Sequence, residues 1–104
     1  MKQNDTSPDI EVDLVDANEE AVNLTGATIK FFTRVEPKGA VKVNGSAATI
    51  VTATAGTVKY SWVSGNTDTA DDYEAEFEVT FSGGGVQTFP GRNYILVHII
   101  DDIG

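Results

Sequence analysis

The clearest patterning in the chain lies between Thr57 and Phe81. Val58, Tyr60 and Trp62 alternate with Thr57, Lys59 and Ser61. After a polar corner, VSGNTDTADD, Tyr73, Ala75, Phe77, Val79 and Phe81 alternate with Glu74, Glu76, Glu78 and Thr80. Successive side chains of a strand point to opposite faces, so each run predicts a strand with one apolar and one wet face. The apolar set holds the single tryptophan and much of the aromatic content. Trp62, Tyr73 and Phe77, together with Phe31 from an earlier run, are the expected structural core.

The rest of the chain reads as shorter pieces of the same kind. Met1 to Pro8 is polar and predicts a mobile arm, or one that orders only on a partner, leaving 9–104 as the folded domain. Asp9 to Val15 alternates Ile10, Val12 and Leu14 with acids, the mark of a half-buried strand. DANEE, 16–20, is poor in strand formers and predicts a turn, after which Val22 and Leu24 are placed along a sheet edge. Ala27 to Val35 predicts a strand with Ile29, Phe31, Thr33 and Val35 inward, which leaves the large Phe32 on the outer side. Pro37 and Gly39 mark a turn. Val41 and Val43 predict a short strand closed by Asn44-Gly45, with a separate strand over Ala47 to Ala53. The triple glycine 83–85 predicts a hairpin tip, Pro90-Gly91 a break, and Asn93 to Ile100 a last strand. Ile95, Val97 and Ile99 of that strand face the core, with Tyr94, Leu96, His98 and Ile100 opposite. Seven or eight short strands between turn signals, with no helical periodicity, predict an antiparallel β-sandwich.

Composition narrows the function classes. At 104 residues the chain is one domain. It has no cysteine, so neither a disulfide framework nor a thiolate metal site is available. Sixteen acids against 7 bases give a formal charge of −9, and the bases are scattered, which disfavours a phosphate-binding surface and hence nucleic acid. No apolar run approaches the roughly 18 residues a membrane span needs. MKQNDTSPDI lacks the apolar core of a signal peptide, so no export and no membrane partner are expected.

Candidate chemistry is thin. Glu74, Glu76 and Glu78 follow one another along one strand face at a spacing that suits paired carboxylates. An open sheet face would give all three the same wet surroundings, whereas acid–base work needs them in different ones. Asp68, Asp71 and Asp72 crowd one corner, with Asp101 and Asp102 near the end of the chain. Hard oxygen ligands of this kind hold calcium in some loops, but aspartate also favours turns for backbone reasons. His98, the single histidine, faces outward and has no cysteine or second histidine to complete a zinc site. No cofactor, metal or catalytic residue is assigned. The last strand is apolar on both faces, which points either to contact with another chain or to cover by the domain's own loops, and the outward Phe32 leaves the same two readings. Phe32, Leu96, His98, Ile100 and Ile103 are the candidate interface residues.

Two resemblances add to this reading. The corner TADDY followed by Tyr73-Glu74-Ala75 resembles that of immunoglobulin-like domains, where a tyrosine hydroxyl bonds back across the corner two residues before a core position. More extensively, LTGATIKFFTR, AATIVTATAGTVKYSW, DTADDYEAEFEVTFSGGGVQTFP and YILVHI are similar to the N-terminal domain of phage baseplate upper proteins. The shared positions are Leu24, Gly26, Ala27, Ile29 and Phe31 in the opening strand, and Gly56, Val58, Tyr60 and Trp62 in the next. They continue with Asp68, Thr69, Ala70, Tyr73, Ala75, Glu76, Phe77, Val79 and Phe81, and end with Thr88, Phe89 and Pro90. The resemblance covers about residues 9 to 100, mostly core and turn positions. Family members usually continue into a helical and receptor-platform region that has no counterpart before Gly104.

The resemblance implies an immunoglobulin-like, non-enzymatic virion protein of the tail or baseplate. It would be made in the bacterial host cytoplasm and would dock to tail, baseplate or fibre proteins as an oligomer. The competing expectation is an immunoglobulin-like adhesin or carbohydrate-binding module that uses loop aspartates and calcium.

Overall fold

The computed structural model describes residues 1–91, 94–101 and 103. The described residues are all-β, with seven strands. They are β1 (Ile10–Asp13), β2 (Thr28–Val35), β3 (Val41–Thr52), β4 (Thr57–Tyr60), β5 (Asp71–Thr80), β6 (Val86–Phe89) and β7 (Ile95–Ile99). All named pairings are antiparallel, in the order β1-β4-β3-β2-β5-β6, with β7 also on β5.

One long strand makes the sheet curl. β3 is 12 residues long; its residues 41–48 pair with β2 and its residues 49–52 with β4. It therefore belongs to two layers at once, a small one with β1 and β4 and a larger one with β2, β5, β6 and β7. The expected turn at Asn44-Gly45 is instead a bulge inside this strand. Phe31 pairs with Ser46 and Phe32 with Asn44, so Gly45 is the extra residue, at φ 75°. Glycine suits a bulge for the same reason it suits a turn, because it takes positive φ without a Cβ clash. That shared chemistry is why the dipeptide pointed to the wrong element.

The two layers close on an aromatic cluster. Phe31 is its hub, stacked on Tyr60 at 4.4 Å, edge-on to Trp62 at 5.5 Å and tilted against Phe77 at 4.9 Å. Tyr60 and Trp62 also meet edge to face at 5.5 Å. Such offset and perpendicular pairs follow from the ring quadrupoles and add roughly 0.5–1.5 kcal/mol each to the area buried. Leu24, expected on a sheet edge, lies outside every strand and is fully buried in this core. Tyr73 is buried but stands outside the cluster, at the start of β5, where its hydroxyl donates to the Thr69 carbonyl at 2.8 Å.

Gly56 marks the tightest backbone approach. It sits at φ 70°, and a Cβ there would lie 2.5 Å from the Leu14 carbonyl oxygen. The Leu14 N–H in turn donates to the Gly56 carbonyl at 2.8 Å. No side chain fits between β1 and the turn that opens β4.

The strand after β5 is interrupted. β6 lies opposite Thr80 to Phe77 and β7 opposite Ala75 to Asp71, on the same edge of β5. Only Glu76 separates the two registers, yet residues 90–94 intervene in the chain, and of these Pro90, Gly91 and Tyr94 lie outside the strands. Proline cannot donate to a strand ladder, which accounts for the break at Pro90. Asn93, expected to open the last strand, falls outside the described residues.

The first residues, expected as a mobile arm, lie along the end of β7. Lys2 bridges Ile100 in parallel; Gln3 N–H donates to the Ile100 carbonyl at 2.8 Å, and Ile100 N–H to the Met1 carbonyl at 2.9 Å. Asn4 N–H and the Gln3 side-chain amide reach the carbonyls of Thr67 and Asp68. Met1 packs against the core, an apolar contact that the polar look of the segment concealed.

Candidate functional site

The outer face of the larger layer carries the side chains that alternation turns away from the core. β2 contributes Lys30, Phe32 and Arg34, β5 contributes Asp72, Glu74, Glu76 and Glu78, and β7 contributes Leu96 and His98. Register sets them in rows. Val41, Arg34, Glu74 and Leu96 are cross-strand neighbours in one row, and Asn44, Phe32 and Glu76 in the next. Phe32 is half-buried, and its ring lies against Gly45, where an added Cβ would meet it at 3.4 Å. The bulge glycine therefore provides the seat for the Phe32 ring.

An ion pair occupies the centre. Arg34 Nε donates to Glu74 Oε1 at 2.9 Å, and the Lys38 backbone N–H donates to the same oxygen at 3.0 Å. The Tyr94 ring lies under the guanidinium, 4.7 Å from centroid to Cζ. Glu74 is buried, unlike Glu76 and Glu78, which are half-buried. The three carboxylates are thus not equivalent, contrary to the common wet surroundings expected of them. The Lys38 N–H, and then the Arg34 guanidinium, hold the Glu74 carboxyl below the usual glutamate range against the opposing effect of burial. The hydrogen bond to Glu74 raises Arg34 in return. Arg34 Nη2 is enclosed without a hydrogen-bond partner among the described residues. It borders a small pocket of about 110 Å³ lined by Phe32, Thr33, Arg34, Val41, Glu74, Glu76 and Tyr94.

Around this centre exposed apolar side chains stand among the charged ones of the same face. Val41 is 58% exposed, Leu96 55% and Tyr94 37%. The structure therefore brings Phe32, Leu96 and His98 onto one face, as the alternation implied. Ile100 continues the row beyond β7 and is half exposed, with its backbone held by the first residues. Ile103 lies past the last strand and is almost fully exposed. Arg34, Val41 and the role of Tyr94 were not singled out from the sequence. Arg34 pairs with Glu74 only through a register that no local pattern encodes, and Val41 turns outward because a second shift lies between Thr33 and Arg34.

The acidic corner does not converge. Asp68 pairs with Lys42 and the Thr69 hydroxyl, and the lysine, first, lowers its pKa. Asp71 Oδ1 accepts the Asp72 N–H at 2.8 Å, and Asp72 Oδ1 lies 2.6 Å from His98 Nδ1. Among the described residues no three histidine, aspartate or glutamate side chains gather as ligands, and Asp102 lies outside them. No family model, curated protein or solved structure matches the chain.

Proposed function

We propose that the chain is a structural protein of a phage virion, a tail or baseplate component that works by docking to neighbouring protein chains. One observation carries this reading. Val41, Tyr94, Leu96 and the half-buried Phe32 surround a charge pair on one open sheet face. An apolar patch with aromatic and arginine anchors and a charged centre has the composition of a protein interface. The side chains there offer contact area and a fixed hydrogen-bond pattern rather than a nucleophile or a transferable proton. The resemblance to baseplate upper proteins supplies the virion setting.

The same reading takes the architecture as immunoglobulin-like. In its support, the Tyr73 hydroxyl bonds back to Thr69, four residues upstream, as in a tyrosine corner. A strand that passes between layers, as β3 does, is a further point in its favour.

Self-docking through this face predicts a mass that rises with concentration in light scattering. Leu96→Asp, which places a charge in the patch, should return the chain to a monomer without lowering its melting temperature. An oligomer that withstands Leu96→Asp would exclude this face. For the virion setting, the neighbouring reading frames are decisive, and the absence of tail, baseplate or fibre genes beside this one would defeat it.

A further inference from the structure

The two ends of the curled sheet face one another across a cleft. Among the described residues β1 is paired on one side only, by β4, and β6 on one side only, by β5. Between them lies an open space of about 800 Å³, lined on one side by Val12, Leu14 and Val15 and on the other by Phe89, Pro90 and Ile95. A strand edge presents backbone N–H and C=O groups at strand spacing, and such an edge is a template for another extended chain. Here two edges border one apolar trough. Beyond Asp13 the β1 side is already paired, Val15 with Ala21 and the Leu14 carbonyl with the Val22 N–H, so the edges on offer are those of Ile10–Asp13 and Val86–Phe89. A small apolar ligand would leave those backbone groups to water, whereas an extended peptide would pair with them.

Charge selects among peptides. Asp13, Asp16 and Glu19 stand at the rim, and no lysine or arginine is among the described lining residues. Asp13 and Asp16 are fixed in place: Asp13 accepts the Thr57 hydroxyl at 2.7 Å, and Asp16 Oδ1 accepts the N–H groups of Asn18 and Glu20. A second copy of this chain is a poor occupant. Antiparallel pairing of β1 with its own copy about Val12 would set Glu11 of each molecule opposite Asp13 of the other, between molecules each carrying a formal charge of −9.

We propose that this cleft is a β-augmentation site. It receives an extended segment of a partner protein, with apolar side chains directed at Val12, Leu14 and Phe89 and alternate lysine or arginine side chains directed at the acidic rim. The site is separate from the outer face of β2, β5 and β7, and it stands whether or not that face docks.

The test uses the full chain, isotopically labelled, and two end-blocked synthetic peptides: Lys-Val-Lys-Val-Thr-Val-Lys-Val and its counterpart with glutamate in place of lysine. The basic peptide should shift the amide signals of Ile10 to Asp13 and Val86 to Phe89 and slow their hydrogen exchange. The acidic peptide should do neither. Asp13→Lys with Glu19→Lys should weaken the basic peptide by about tenfold or more at low salt, with the loss shrinking as salt is added. The wild-type comparison of the two peptides needs no variant, so a misfolded double mutant would leave the test standing. No shift with either peptide up to roughly 1 mM, a level where even weak augmentation registers, would overturn the proposal. So would equal binding of both peptides, shifts confined to the β2–β5–β7 face, or self-association of the chain through β1.

Discussion

The two faces of β2 and β5 are built from the same backbone and behave as different materials. Inward, Phe31, Phe77 and Val79 are fully buried, and the two rings meet at 4.9 Å. Outward, one residue along, Phe32 is half-buried, Arg34 and Glu74 pair with each other, and Leu96 stands open on the neighbouring strand. The inner face supplies stability, since close-packed interiors respond to the loss of even one methylene. The outer face contributes little to folding and is left able to contact something else. A substitution should therefore be felt in unfolding on one side and in association on the other.

The largest test of this contrast is Phe77→Ala. Removing this fully buried ring, which packs on Phe31, should cost roughly 3–5 kcal/mol, read from urea unfolding. A domain of this size has only about 5–15 kcal/mol in all, so the variant should sit near its unfolding threshold. A loss of under about 1 kcal/mol, no more than a surface site gives, would mean the cluster is not the core.

Thr33→Val comes next. The Thr33 hydroxyl accepts the buried Val43 N–H at 3.1 Å, and valine keeps the shape but leaves that donor without a partner. The expected cost is about 1–3 kcal/mol in the same unfolding measurement. A neutral result would show that the β2–β3 irregularity relaxes to satisfy the group in another way.

On the outer face the balance reverses. Leu96→Asp should change stability by no more than about 0.5 kcal/mol while abolishing concentration-dependent association. Calorimetry and light scattering on the same samples separate the two effects. A large drop in melting temperature would show that Leu96 belongs to the core economy after all.

The smallest effect is a pH dependence. Glu74 has a folded-state pKa below its unfolded one, so its contribution is fully present above the ordinary glutamate range and is lost as pH falls through the lowered folded value. Melting temperature between neutral and acid pH should thus fall less steeply in Glu74→Gln than in the parent chain. Parallel acid limbs would mean that the ion pair does not couple to folding.

Much of this was legible in the chain itself. The alternation around Val58, Tyr60, Tyr73 and Phe77 marks two strands and their inner faces, because a period of two is a local property of the backbone. The outward turn of Phe32, Leu96 and His98 follows from the same count. Asn44-Gly45 was misleading because one backbone requirement, positive φ at glycine, serves a hairpin turn and a bulge equally well. Leu24 gave no sign of its burial, since it belongs to no periodic run.

What the sequence determined, then, is each strand's direction of facing, its turn chemistry and the acidic character of the whole. Only the tertiary structure decided which strands became neighbours. Register across β2, β5 and β7 placed Glu74 between Arg34 and Leu96, and the long β3 carried the sheet from one layer to the other and brought β1 opposite β6. These are pairings between residues far apart in the chain. They depend on how a whole sheet curls to bury its aromatic face, which no short window of sequence records.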